Sequence, residues 1–207
     1  MMKLFSMDGK LLENFNKITD LITLNLLWLI CCLPVITAGA STSALYQVTL
    51  QIAENRESYI AKTFFHAFRE NFKQATLVWL ICLIAGFLLV SDFFIVSHFF
   101  AGSSMPFLIM LLFMLTLLLF AGFLYFFPVI AYFKNSLKKI FSNSFRLAFG
   151  YLGTTLQLFL LSLLPLIVLF VLRNHIILGS FLFVIILPAL TSFCQSVLLA
   201  KLFHKIK

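Results

Sequence analysis

Charge is what this sequence has least of. Asp, Glu, Lys and Arg make up 11% of its 207 residues, hydrophobic residues make up 62%, and mean hydropathy is +1.09. A soluble domain carries about a quarter charged residues and under half apolar ones, so a water-exposed globule is excluded. Acids are scarcest. Only seven occur, the last of them Asp92, which nearly excludes paired-carboxylate chemistry from the C-terminal half. A P-loop is missing, which argues against an ATPase subunit, and HExxH and GxSxG are missing too. No CxxC occurs, and Cys31, Cys32, Cys82 and Cys194 all fall in apolar segments. Packing in apolar surroundings accounts for them better than a disulfide or zinc. The expectation is a protein that is not an enzyme and holds neither cofactor nor metal.

What is present is long apolar sequence. Residues 21–53, 74–91, 93–133, 147–172 and 174–200 contain no Asp, Glu, Lys or Arg. About 20 apolar helical residues cross a hydrocarbon core of about 30 Å. Only helices or closed barrels satisfy their own backbone in lipid. The run from Phe107 to Phe120 does not alternate as a barrel strand would. The fold class is therefore all-α: a polytopic transmembrane helix bundle, one integral membrane domain over residues 1–207.

Five long apolar segments are predicted, the first of them a broken hairpin. Residues 1–20 show helical periodicity, with Leu4, Leu11, Leu12, Phe15 and Ile18 on one face and Lys3, Lys10 and Lys17 seven apart. They read as an interfacial amphipathic helix, and no small-residue cleavage site for a signal peptide stands out. An apolar stretch from Leu21 to Leu33 is interrupted at Pro34 and Gly39. A second, short limb runs from Ser43 to about Ala53. Residues 54–73 and 134–149 are basic and Phe-rich, and read as amphipathic segments lying on the cytoplasmic face. Long spans are expected at about 75–98, 106–133, 151–172 and 176–200.

Charge bias sets the topology. If residues 21–53 form a hairpin returning to its starting side, fourteen of the fifteen Lys and Arg residues share one side and Arg173 alone faces the other. No single-crossing arrangement partitions them so cleanly, and basic residues favour the cytoplasm. The expectation is a bacterial plasma membrane protein with about six crossings and both termini cytoplasmic. The net charge of +8 then reflects topology and not nucleic-acid binding. A short internal repetition also shows: Leu33-Pro34-Val35-Ile36 returns as Phe127-Pro128-Val129-Ile130 and, loosely, as Leu187-Pro188-Ala189-Leu190.

Several polar residues stand out against the apolar background. Asp92 is the one acid inside a predicted span. An intramembrane ionisable residue marks a functional site or a structural ion pair. On the expected topology His98, Arg173 and His175 share its level, so Asp92 and Arg173 form a candidate pair flanked by histidines. Asn25, Gln47, Gln51, Gln157 and Gln195 are candidates either to line a solute path or to glue helices together. Gln47 and Gln51 lie in the broken hairpin, and broken helices line sites in transporters. The break itself, with Pro34, Thr37, Gly39, Ser41 and Thr42, is either a capped hairpin turn or a helix terminus facing a solute.

Met7-Asp8-Gly9-Lys10, Asn25-Leu26-Leu27-Trp28, Cys32-Leu33-Pro34-Val35, Gly39-Ala40-Ser41-Thr42, Ala44-Leu45-Tyr46 and Phe65-His66-Ala67-Phe68-Arg69-Glu70-Asn71-Phe72-Lys73-Gln74-Ala75 resemble the YesL-like family of bacterial integral membrane proteins, a domain of unknown function. The resemblance covers nearly the whole chain, and its specific part is residues 7–79. It implies an association with carbohydrate uptake, because family members are often encoded near sugar transporters and carbohydrate-degrading enzymes. It carries over no site residues. Two functions follow as expectations. One is an accessory or permease-like component of carbohydrate uptake, partnered by sugar ABC transporter subunits. The other is a structural or regulatory assembly protein that binds other membrane subunits or anionic lipids. A transporter requires a polar path from residues 34–51 to Gln157 and Gln195; an assembly protein requires apolar packing instead.

Overall fold

The computed structural model describes residues 2–56, 59–99 and 105–206, apart from the side chains of residues 2–15, 99 and 176. The described residues are helical and contain no strand, as the charge-free runs require. The expected apolar face of residues 1–15 and the connection at 101–104 lie outside the described residues.

Helix α1 (Met2–Cys32) is continuous, so the amphipathic leader and the first apolar limb are one element. A turn of 3-10 helix (Val35–Thr37) follows Pro34 and leads into α2 (Ala38–Ala53). α2 ends on Asn55, whose φ of 52° is the left-handed conformation that closes a helix C-terminus. The Arg56 N–H then reaches the Gln51 carbonyl at 2.9 Å. α1 and α2 thus form the predicted hairpin. Lys17 Nζ near its base donates to Asn55 Oδ1 at 3.4 Å.

Helix α3 (Ile60–Phe99) corrects the expected division at residue 74. From Ile60 onward the charged segment and the span that follows are one 40-residue helix. No Pro or Gly occurs between Ile60 and Ala85 to stop it; the change in composition marks a change of surroundings, not a helix end. Its first turns bury Ile60, Phe64 and Ala67 against the hairpin and expose Lys62, His66, Arg69 and Lys73 on the opposite side. α4 (Met105–Tyr132) runs back along α3. α5 (Leu137–Gly150) is the expected amphipathic helix, burying Ile140, Ser144, Leu147 and Ala148 and exposing Lys138, Lys139 and Arg146. α6 (Leu152–Val171) leads to a turn at Arg173–His175.

The last expected span is broken. α7 (Ile176–Ile185) and α8 (Leu187–Ile206) meet at a 51° bend. Pro188 has no N–H for the Val184 carbonyl one turn back, and its ring crowds that carbonyl, which favours a kink or break at this point. The three Pro motifs therefore do different things. Pro34 opens a turn, Pro128 lies inside α4, and Pro188 starts α8. That difference does not favour a structural duplication.

α2 is central, packed on α1, α3, α4 and α8. One apolar core joins α4, α5, α6 and α8 through Tyr125, Phe126, Ile140, Leu158 and Phe203. A second joins the hairpin to α3 and α8 through Leu24, Val48, Phe64 and Ala189. α3, α4 and α6 are each long and apolar enough to cross a membrane, and the bent α7–α8 pair makes a fourth if it counts as one span. Their apolar faces are almost wholly uncovered by the chain itself, as lipid-facing helices are.

The hairpin turn meets α3 near the middle of that helix, where Trp79 Nε1 donates to the Val35 carbonyl at 2.8 Å. Trp79 also packs on Phe123 and Phe127 of α4. From Trp79 to the end of α3, and from Phe123 back to the start of α4, the rise of 1.5 Å per residue gives about 30 Å of helix beyond these contacts.

Candidate functional site

The broken-helix motif forms the corner of the hairpin. Thr37 Oγ1 donates to the Cys31 carbonyl at 2.6 Å and the Pro34 carbonyl at 2.7 Å. Ser41 Oγ donates to the Trp28 carbonyl at 3.0 Å. The last turn of α1 leaves carbonyls without helical partners, and these hydroxyls supply donors at that end. Trp28 Nε1 donates to Thr42 Oγ1 at 3.3 Å. Gly39 lies against α3, where a Cβ would meet the Ala75 carbonyl oxygen and Trp79 Cβ, each at 2.5 Å.

Asn25 occupies the break between α7 and α8. It is fully buried. Its Nδ2 donates to the carbonyls of Val184 at 2.7 Å and Phe183 at 3.3 Å, and its Oδ1 accepts the Ala189 N–H at 3.0 Å. The Val184 carbonyl is the one that Pro188 deprives of a helical donor, so one amide serves both ends of the broken helix.

A polar seam joins α2 to α8 below that point. Tyr46 donates to Gln195 Oε1, and Gln195 Nε2 donates to the Leu158 carbonyl at 3.3 Å. Thr49 and Ser196 share a hydrogen bond of 2.7 Å, both fully buried. Tyr46→Phe removes one donor and leaves Gln195 Oε1 unpaired. It is expected to cost about 1 kcal/mol, measured by reversible unfolding in detergent.

The other sequence candidates do not converge. Asp92 is exposed on α3, and among the described residues no ion pair joins it to Arg173. His98 stacks on Phe94 with ring centroids 4.1 Å apart, and Arg173 lies over Phe170 at 5.6 Å. His175 is exposed in the turn that follows α6. Gln157 faces outward on α6, away from the seam that holds Gln195. No group of three or more metal-ligating side chains occurs among the described residues.

The groups that do converge line a polar cleft of about 270 Å³ at the charged end of the bundle. The end of α2 supplies Gln47, Gln51 and Glu54, α3 supplies Glu70 and Asn71, and the end of α4 supplies Tyr132 with Lys134 just beyond. Each carboxylate lies beside one permanent cation and one histidine. Glu54 pairs with Arg56 at 2.8 Å and His204 at 3.2 Å; Glu70 pairs with Lys134 at 2.6 Å and His66 at 3.7 Å. The pairs clasp the ends of α2 and α8, and of α3 and α4. Lys134 is 89% exposed, so water screens its pair, which contributes under about 1 kcal/mol. Glu54 differs, with a side chain only 9% exposed. Asn71 Nδ2 donates to Gln47 Oε1 at 2.9 Å.

Gln47 and Gln51 were recognisable as polar residues in a broken apolar segment. Glu54, Glu70, Asn71, Lys134 and His204 were not, because they belong to segments whose charge already has an explanation in membrane topology. The Glu70–Asn71 pair is adjacent in sequence, but nothing local says that α4 and α8 end beside it.

No curated protein and no solved structure matches the chain. Residues 21–93, which form α1 from Leu21, the hairpin turn, α2 and most of α3, are similar to a family described as "Protein of unknown function, DUF624".

Proposed function

We propose that this chain is an accessory component of carbohydrate uptake in the bacterial plasma membrane, without enzymatic activity and without a solute path of its own. One observation carries the reading against a permease. The polar groups between α1, α2 and α8 spend their hydrogen bonds on the fold: Asn25 on the α7–α8 break, Tyr46 on Gln195, Thr49 on Ser196, and Gln157, which a path would need, faces outward. Polar side chains paired across helices in this way fasten them together. The carbohydrate link rests on the resemblance of residues 7–79 to the YesL-like family.

The topology that fits is four crossings, α3, α4, α6 and the bent α7–α8 pair, with the α1–α2 hairpin re-entering from the cytoplasmic side. Lys17, Arg56, Lys134 and His204 meet at one end of the bundle, which favours that end as cytoplasmic. Exposed Lys62, Arg69 and Lys73 on α3 and Lys138, Lys139 and Arg146 on α5 suit anionic headgroups, each worth about 1 kcal/mol near the surface. This basic surface also favours the second reading, a structural or regulatory assembly protein that binds lipids or other subunits.

Purification from native membranes in mild detergent, with mass spectrometry of the co-purified proteins, separates the two. Near-stoichiometric sugar-transporter permease or solute-binding subunits are expected, and the protein reconstituted alone into liposomes is expected to pass no sugar. Recovery of the chain by itself overturns the accessory role. Sugar flux through the chain by itself overturns the claim that it has no path.

A further inference from the structure

The cleft at the charged end has hydrogen-bonding capacity that the fold does not use. The Gln51 side-chain amide has no hydrogen-bond partner among the described residues, and neither does the Tyr132 hydroxyl. The Gln47–Asn71 bond engages one atom of each amide and leaves Gln47 Nε2 and Asn71 Oδ1 available. Glu54 is the most telling. Its Oε1 is buried and makes no hydrogen bond, although His204 Nε2 lies 3.2 Å away. A buried acceptor left unmade is costly, and Glu54 is one of the residues lining the cleft.

Charge narrows what fits. The lining carries two carboxylates, Glu54 and Glu70, and two permanent cations, Arg56 and Lys134, already paired with one another. A charged ligand would have to break one of these pairs to be neutralised. A neutral ligand leaves them intact. The unused groups are amide donors, amide and carboxylate acceptors and a phenol, a set that matches hydroxyl groups, each of which donates once and accepts twice. At about 270 Å³ the cleft falls below the range of about 300–1,000 Å³ that takes drug-sized molecules. We propose that the cleft between the ends of α2, α3 and α4 binds a small, neutral, polyhydroxylated molecule of monosaccharide size, held by Gln47, Gln51, Glu54 and Asn71.

The site extends the accessory role by giving it a solute to respond to, yet it stands or falls separately. Binding is measured on the purified chain, partner capture on native membranes.

The test is isothermal titration calorimetry on the full chain in lipid nanodiscs. Glucose, galactose and myo-inositol are the neutral probes; glucose 6-phosphate, glucuronate and glucosamine are the charged ones. Saturable binding of at least one neutral probe is expected, with the charged probes weaker. Gln51→Leu removes a side chain that the fold does not use, so its thermal midpoint should stay at the native value. Loss of one ligand hydrogen bond should weaken binding by about threefold to tenfold. Asn71→Leu should weaken it further, and Gln157→Leu on the outer face of α6 should leave it unchanged. The absence of saturable binding for every neutral probe overturns the proposal. So does tighter binding of a charged probe, or native affinity in Gln51→Leu and Asn71→Leu combined.

Discussion

Replacing Asn25 with Leu is expected to lower stability by about 3 kcal/mol, since three backbone groups lose their partner in a dry interior at about 1–3 kcal/mol each, with partial relaxation. Leu keeps the number and branching of side-chain heavy atoms, so lost hydrogen bonds dominate the change, with a smaller cost for the bulkier methyls. Asn25→Asp keeps the acceptor for the Ala189 N–H but has no Nδ2 for Val184 and Phe183. It also brings a buried charge and should be at least as damaging. The informative variant is the double one. Pro188→Ala gives residue 188 an N–H that can reach the Val184 carbonyl, the strongest bond Asn25 makes at 2.7 Å. Added to Asn25→Leu, it should recover part of the lost stability by letting α7 and α8 straighten. Alone, it should leave Asn25 competing with a helical donor and gain little. Reversible unfolding in detergent, read on all four proteins, measures the coupling. Native stability in Asn25→Leu would show that the break at Ile186 needs no brace.

Asn25 also shows where the reading of the sequence reaches and where it stops. Its position in a charge-free run marked it as a polar residue in lipid with a job. What the job is depends on Pro188, 163 positions later, and on a bend that hydropathy cannot register because both arms are equally apolar. The hairpin was legible because Pro34, Gly39, Ser41 and Thr42 are local signals, each acting within one or two helical turns. Its depth was not. The length of residues 21–53 is compatible with two crossings, and only the contacts of Val35 and Gly39 with α3 fix how far the turn reaches. The Asp92–Arg173 pair was inferred from a shared level in the membrane. Level alone does not fix the angle around the bundle, and α4 is the helix that packs between α3 and α6. The cleft was hidden for the opposite reason. Its residues sit in segments rich in charge, where no single residue stands out until helix ends far apart in sequence meet.

Gly39→Ala is expected to cost about 2–3 kcal/mol, the range for forcing extra volume into a packed contact. The new methyl would stand 2.5 Å from the Ala75 carbonyl oxygen and 2.5 Å from Trp79 Cβ. Neither atom can rotate aside, one being backbone and the other fixed to it, so α2 must move away from α3. That movement stretches the Trp79–Val35 bond and the Gln47–Asn71 bond, which tie the hairpin to α3 above and below the contact. Gly86 on α3 is the matching control, because a Cβ there meets nothing within 4 Å. Gly86→Ala should be neutral or stabilising by up to about 1 kcal/mol through helix propensity. The same substitution is thus expected to act with opposite sign at two glycines of one packed helix pair's environment, which a general dislike of alanine cannot produce. Because Asn71 and Gln47 line the cleft, Gly39→Ala should also weaken binding of a neutral probe there, while Gly86→Ala should not. If Gly39→Ala is as stable as the native chain, α2 does not approach α3 this closely. The seat of the hairpin beside Trp79 and the shape of the cleft at its base would then both have to be redrawn.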